Sequence, residues 1–439
     1  MTEAVKTKDA ADRVYSVLME EGEDARVCKD IPDEACNVVP GNFFKLVGSR
    51  TLTKLADELG SPKTVLPWVL SSVGAPASLL GFLVPIRESG SLIPQLAIAA
   101  AVRKQARRKY VWILGGILQA LALGGIGLVA LLLEGLAAGL SILGLLTLFS
   151  LARGLASVAS KDVTGKTVPK TRRGRLTGFS TALSGLFAVL LGAGLATLVQ
   201  EDPPPGLLAI LLGAAALLWL LAVGLFYTVR ETPGATAGGG HGLREAFSRL
   251  DLLRTDRVFR RFVLVRALLV STSLAAPFYV ALGRESSGGG TLLGLFVFAS
   301  GLAAALSSAF WGRFADRSSR WVLVTAAVTA STLGVAVFVL DRTGTLVRAP
   351  WIAAVAYFLL AIAHGGVRVG RKTYILDMAG GNRRTDYVAV SNSVIGVVLL
   401  AAGSVGFLSP VIGPGGILLV FSGLGFAGAL GGRKLPEVQ

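Results

Sequence analysis

Cysteine and histidine are nearly absent from this chain, with two of each in 439 residues. A zinc site or a hydrolytic triad needs more of them than that. Charge is scarce too: 16% of residues are charged and 53% hydrophobic, and 55 are glycine. That mixture lies far from a soluble globular domain and suits helices that pack closely in lipid. A nucleotide-binding loop is also missing. SKDVTGKT (160–167) comes within one residue of a P-loop, but Ser160 stands where the first Gly belongs and a membrane helix precedes it instead of a strand. An ATP-driven pump and a membrane enzyme are therefore not expected, and no cofactor or metal is implied.

What is present is a succession of apolar runs, each near the ~20 residues that cross a bilayer as a helix, from about residue 44 to residue 431. The spacing predicts an all-α polytopic membrane protein of twelve helices, at roughly 44–72, 76–102, 110–133, 136–160, 175–199, 206–229, 260–283, 290–311, 321–340, 350–370, 387–409 and 414–431. An even count puts both termini on one side. The basic loops RKQARRK (103–109), KDVTGKTVPKTRRGR (161–175), GRFADRSSR (312–320) and RKTYILDMAGGNRR (371–384) then share a face, while the opposite loops carry three cations, Arg284, Arg342 and Arg348. By the positive-inside rule the basic face is cytoplasmic in a cell membrane. The net charge of +16 follows from this placement without a nucleic-acid partner.

Residues 1–40 hold ten acidic residues and no apolar signal core, so the first membrane helix is expected to direct insertion. Cys28 and Cys36 lie in this tail, where a cytosolic location implies reduced thiols; with no His beside them, a metal or redox pair is the weaker reading. The expected organisation is a tail (1–43), a six-helix bundle (44–231), a flexible linker (232–258) containing GATAGGGHG, a second bundle (259–432) and a short tail (433–439). SSGGG (286–290) and GPGG (413–416) read as tight turns on the non-basic face.

A shift of 211 residues supports two copies of one unit. It lays SKDVTGKTVPKTRRGRLTGFSTALSG (160–185) on RKTYILDMAGGNRRTDYVAVSNSVIG (371–396), matching Lys161 with Lys372, Arg172 and Arg173 with Arg383 and Arg384, and Ser180 with Ser391. A duplicated six-helix half needs its first helix, although SRTLTKLADELGSPK (49–63) is polar for a lipid-facing segment. Arg50, Lys54, Asp57 and Ser61 recur at four, three and four residues, hence on one face that looks into a polar cleft. The alternative is an amphipathic helix on the membrane surface.

WGRFADRSSRW (311–321) resembles the G-x-x-x-D-R-x-G-R-[RK] loop signature of the major facilitator superfamily. Gly312, Asp316, Arg317 and Arg320 match, while Ser319 and Trp321 depart from it. The resemblance implies two pseudo-symmetric six-helix bundles, with this loop between helices 8 and 9 acting as a gate. It further implies that Asp316 faces a neighbouring helix N-terminus and Arg317 an acidic partner. A carboxylate at a helix N-terminus is favourable by about 0.3–1 kcal/mol. The first-half counterpart AAVRKQARRKY (100–110) has no Asp, and the G-P pair of the family's antiporters is absent from SGLFAVLLGAGLATL (184–198).

Charges within the apolar runs point to a site, because an ionised group in the bilayer is costly and normally faces protein or water. In VPIRESGSLIP (84–94), Arg87, Glu88, Ser91 and the following Gln95 occupy an arc of roughly 100°; Pro85 and Pro94 bracket them. Helix 4 offers Arg153, helix 7 Arg266, and helix 10 His364 and Arg368. Cations outnumber carboxylates, so an anionic solute is expected, held by Arg87 or Arg153 through bidentate guanidinium contacts. Arg50, Lys54, Ser91, Gln95, Arg266, His364 and Arg368 complete the candidate binding set. Glu88, Asp57 and His364 are candidates for a coupling proton.

The expected function is alternating-access secondary transport, with a small-molecule solute and the bilayer as partners and a monomer as the assembly state. A fixed salt-bridge network holding helices 1, 2 and 4 competes for Arg87 and Glu88. Two further alternatives are an exporter of hydrophobic compounds, using Trp68, Phe278 and Tyr279, and a non-transporting receptor or scaffold on the same fold.

Overall fold

Proline, glycine and buried charge decide where the helices break. The computed structural model describes residues 15, 36–234, 236, 249–287, 289–379 and 384–438. Among the described residues nine helical stretches are long and apolar enough to cross a membrane. One of them, Asp386–Arg433, has 48 residues, about 70 Å of helix at 1.5 Å per residue and over twice the hydrocarbon thickness. It is interrupted at Gly413, whose φ of 69° only glycine adopts cheaply, just before Pro414, so it makes two passes. Two more passes come first in the chain, too polar and too broken to reach the same standard.

The twelve spans run in chain order. Span 1 is Val39–Leu59 with Val65–Ser72, span 2 Leu80–Leu92 with Gln95–Arg103, span 3 Lys109–Leu132 and span 4 Gly135–Thr167. Spans 5 and 6 are Lys170–Leu198 and Pro205–Tyr227. Span 7 is built from Arg257–Leu269, Ser271–Leu274 and Ala276–Ser287. Spans 8, 9 and 10 are Gly290–Ala315, Ser319–Arg342 and Trp351–Met378; spans 11 and 12 are Arg384–Gly403 and Ser409–Arg433.

Span 1 lies inside the first bundle and is not a surface helix. It packs on spans 5 and 6, Phe43 and Leu46 are buried, and the Ser49 hydroxyl donates to the Ala222 carbonyl at 3.2 Å. Its break follows from Gly60-Ser61-Pro62, since a residue before proline is pushed out of the helical region. Ser61 then accepts from the Lys63 amide through its side chain at 3.3 Å and from Leu66 through its carbonyl at 2.9 Å. Leu114, Leu121, Leu128, Leu190, Ile210 and Leu217 are exposed on the outer surface, as lipid contact requires.

Spans 5 and 8, and spans 2 and 11, join the two bundles. Both seams are tightest on the face away from the basic loops. A Cβ at Gly192 would stand 2.3 Å from the Phe298 nitrogen, and one at Gly294 2.1 Å from the Ala196 nitrogen. A Cβ at Gly81 would stand 2.6 Å from the Gly403 carbonyl oxygen and 2.7 Å from the Gly406 Cα. Small residues let backbones touch here, so dispersion holds the seam.

Several sequence expectations are corrected. Spans 4 and 10 continue to Thr167 and Met378, past the expected ends at 160 and 370, because a polar wall beside a water-accessible cleft need not leave the helix. Cys36 is disulfide-bonded and is not a free thiol; Cys28 lies outside the described residues. Residues 237–248 of the expected linker also lie outside them, whereas Arg249–Asp251 and Leu252–Thr255 are helical turns. In the loop between spans 8 and 9, Gly312 has open space around it, and the side chains of Asp316 and Arg317 make no hydrogen bond or ion pair among the described residues. Arg320 is the anchor instead. It pairs with Glu437 at 3.0 Å and donates to the Leu435 carbonyl at 3.0 Å. Ser318 donates to Glu437 at 2.8 Å and Tyr374 to the Pro436 carbonyl at 3.0 Å. The C-terminal segment thus covers the basic end of the second bundle.

Candidate functional site

Within the first bundle, Asp57 of span 1 gathers the two arginines singled out by the sequence. Its carboxylate pairs with Arg87 of span 2 at 3.2 Å and with Arg153 of span 4. Arg87 is buried, stacks over the Phe149 ring with its guanidinium carbon 4.7 Å from the centroid, and its carbonyl accepts from Ser150 at 2.7 Å. This triad ties spans 1, 2 and 4 together, and neither arginine lines the cavity between the bundles. Arg50 donates to Thr164 at 2.6 Å and Lys54 to Thr181, also within the first bundle. Ser91 donates to its own helix, at the Glu88 carbonyl.

A different set of charges faces the space between the bundles. One lobe, of about 180 Å³, is lined by Lys63, Glu88, Arg266, His364, Arg368 and Arg371, with Phe262, Leu269 and Leu399 as an apolar wall. A second lobe, of about 170 Å³, shares Lys63, His364 and Arg368 and adds Glu58, Ser61, Thr272, Ser300, Ser307 and Tyr357. Across both lobes four cations, Lys63, Arg266, Arg368 and Arg371, meet two carboxylates, Glu58 and Glu88, a surplus of two positive charges.

The break in span 1 brings Lys63 into this space, and span 10 supplies three more groups from one face. His364, Arg368 and Arg371 are spaced by four and three residues. His364 shares a 3.0 Å hydrogen bond with Thr272. Glu58 accepts from Ser300 of the other bundle at 2.9 Å. The side chains of Lys63, Glu88, Arg368 and Arg371 make no hydrogen bond or ion pair among the described residues. Side chains so disposed face the cavity without a direct ion pair, Glu88 acting on Lys63 and Arg371 only through space.

Access is one-sided. Toward the basic loops a space of about 640 Å³ opens, lined by Gln95, Arg103, Lys161, Leu376 and Asn392; Asn392 and Gln95 approach to 3.4 Å across it. On the opposite face Asp202 accepts from Arg284 at 2.8 Å and from the Trp68 indole at 3.2 Å, and the Gly290 amide donates to the Glu201 carbonyl at 2.8 Å. Trp68, Phe278 and Tyr279 are buried in this closed end and do not line the two lobes.

Of the binding candidates, Arg266, His364 and Arg368 therefore meet in one cavity with Glu88, Gln95 stands in its vestibule, Arg50, Lys54, Arg87 and Arg153 hold the first bundle together, and Ser91 bonds only within its own helix. Sequence reasoning did not single out Lys63 or Arg371. The first sits past a Gly-Ser-Pro break, and the second was assigned to a basic loop, although the four-then-three spacing from His364 already aligned it with Arg368.

A family model described as Major Facilitator Superfamily matches residues 59–397. No curated protein matches the chain. Among solved structures, the chain is similar to the inward-open xylose transporter XylE from E. coli (15% identity, TM-score 0.67, covering 90% of this chain and 96% of that one). It is also similar to the nucleoside transporter NupG (12% identity, TM-score 0.64, covering 90% and 98%). A POT family transporter in complex with a thioalcohol-conjugated peptide matches at 11% identity and a TM-score of 0.67, covering 92% and 97%. At these identities the likeness is one of fold.

Proposed function

The chain belongs to the Major Facilitator Superfamily, and from that premise we propose that it is a secondary active transporter of a small anionic solute, resident in the cell membrane with its basic loops and both termini in the cytoplasm. The single observation that carries the anionic reading is the surplus of two cations in the cavity between the bundles. An anion entering from the vestibule would meet Lys63, Arg368 and Arg371, whose charges no side chain neutralises by direct contact, and would restore the balance that burial demands. The closed opposite face and open vestibule correspond to one of the two states that alternating access requires.

An exporter of hydrophobic compounds fits less well, since Trp68, Phe278 and Tyr279 are packed in the closed end and charged and hydroxyl groups line both lobes. A receptor on the same fold would have no need of unneutralised charge facing an accessible cavity. Purified protein in liposomes is expected to exchange labelled organic anions, and Arg368→Gln to lower that exchange by at least about tenfold, the size of a lost charge-assisted contact. Exchange of neutral sugars alone, unaffected by Arg368→Gln, would overturn the anionic reading.

Proton coupling rests on the carboxylates that face the solute. Glu88 lines the first lobe free of any direct ion pair, and Glu58 lines the second, whereas Asp57 is committed to two guanidiniums. Glu88 is the carrier we assign. Glu88→Gln is expected to preserve solute exchange but abolish accumulation driven by a pH gradient; accumulation at the unaltered rate would remove Glu88 from the coupling step.

A further inference from the structure

Span 7 is interrupted twice, at Val270 and at Ala275, which leaves Ser271–Leu274 as a short turn between its longer helices. Beside that turn, within the second bundle, lies a small chamber walled by spans 7, 9, 10 and 12. Ser271, Thr272, Tyr279, Ser331, Gly334 and Ser422 line it, and all of them are buried. Its volume is about 10 Å³, close to what one water molecule needs. Glycine makes the room. A Cβ at Gly425 would stand 2.2 Å from the Ser331 hydroxyl oxygen and 3.5 Å from that of Ser271, and one at Gly334 2.2 Å from that of Ser422. The hydroxyls are of two kinds. Ser422 spends its hydrogen on the Leu418 carbonyl at 2.8 Å and Thr272 on the Leu269 carbonyl at 2.9 Å, so each has only lone pairs left to offer. Ser271 and Tyr279 are each 1% exposed, and their hydroxyls have no hydrogen-bond partner among the described residues. A buried hydroxyl in that condition is costly unless something in the chamber accepts its hydrogen.

We infer that the chamber is a binding site for one structural water, which accepts from Ser271 and Tyr279, donates to Ser422, and braces the interrupted middle of span 7 against span 12. That makes about three hydrogen bonds, the usual complement of a buried water. A sodium ion fits the chemistry worse. It would leave the Ser271 and Tyr279 hydrogens without an acceptor, and it would lie beside the cationic cavity, with which the chamber shares Thr272 and Leu360 as walls. A chloride ion would take those two hydrogens but would face the lone pairs of Ser422, which has no hydrogen left for it. Water both gives and receives, and so satisfies both kinds of hydroxyl. It would be held whatever solute the transport cavity takes.

Ser271→Ala, Tyr279→Phe and the double variant of the full-length purified protein provide the test, by thermal unfolding in detergent and by hydrogen exchange. Each single change is expected to lower Tm by about 1–2 °C. The double change should cost less than the sum of the two, because the first already loosens the water that both hydroxyls share. Amide exchange in the Ser271–Leu274 turn should quicken about tenfold in either variant, as local opening becomes easier. A structure of the parent that resolves ordered solvent should show one water within hydrogen-bond distance of the Ser271, Tyr279 and Ser422 oxygens. Hydroxyls with no partner at all would behave in the opposite way, since deleting either would leave Tm unchanged or raise it. That outcome, strictly additive losses, or unchanged exchange at the turn overturns the bridging water. Parent stability that falls when choline replaces sodium, or gluconate replaces chloride, assigns the chamber to an ion and overturns it equally.

Discussion

Asp57→Asn is expected to cost the protein about 3 kcal/mol of stability, the lower end of what breaking a buried ion pair costs, and to abolish transport. Among the described residues Asp57 is the one carboxylate in contact with both Arg87 and Arg153, so the amide would leave two cations inside the first bundle with no carboxylate in direct contact. Arg87 has side-chain exposure of 10% and Arg153 of 35%, which is why the lower end applies: the second arginine keeps partial access to solvent. The damage should be structural before it is functional. Denaturation in detergent is expected to reveal the loss without ligand, and Arg153→Gln on the Asp57→Asn background should recover part of it, because one stranded charge is removed. A variant as stable as the parent would mean that the triad contributes nothing to the bundle.

Gly294→Ala is expected to lower transport by at least about tenfold, a barrier change of roughly 1.4 kcal/mol, and to weaken solute binding from the basic face, since fewer molecules hold the state open to it. The added methyl would lie 2.1 Å from the backbone nitrogen of Ala196 and 2.5 Å from its Cα, and backbone cannot rotate aside as a long side chain can. Spans 5 and 8 must then separate where they now touch, on the face sealed by Asp202 and Arg284. The state with that face closed would be disfavoured. Thiol labelling of a cysteine introduced at Ser300, which lines the inner lobe, should become accessible from the non-basic side in the variant; unchanged labelling and unchanged flux would place the seam outside the transport cycle.

How much of this was legible in advance differs between fold and site. The twelve-helix architecture could be read because lipid imposes a length and an apolarity on every span, and the duplicated register of residues 160–185 and 371–396 reinforced it. Span 1 was recoverable for the same reason, since half of a repeat cannot lack a member. The site was less legible. Arg87 and Arg153 were conspicuous as charges in apolar helices, yet nothing in their spacing told that both would turn to Asp57. Arg371 was hidden by its neighbour Lys372, which made the pair resemble a topogenic loop, and Lys63 by the helix break that delivers it.

By itself the sequence determined what each segment had to do in a bilayer: which stretches cross it, which loops stay on the basic face, and that the charged residues within the spans had to be sheltered from lipid. Only the tertiary structure decided how that shelter is shared, with Asp57 neutralising two arginines inside one bundle while Lys63, Arg266, Arg368 and Arg371 face a cavity with two carboxylates. The physical reason is range. Hydropathy and helical periodicity act within one helix and can be read along the chain, whereas the neutralisation of a charge depends on which helix lies a few ångströms away.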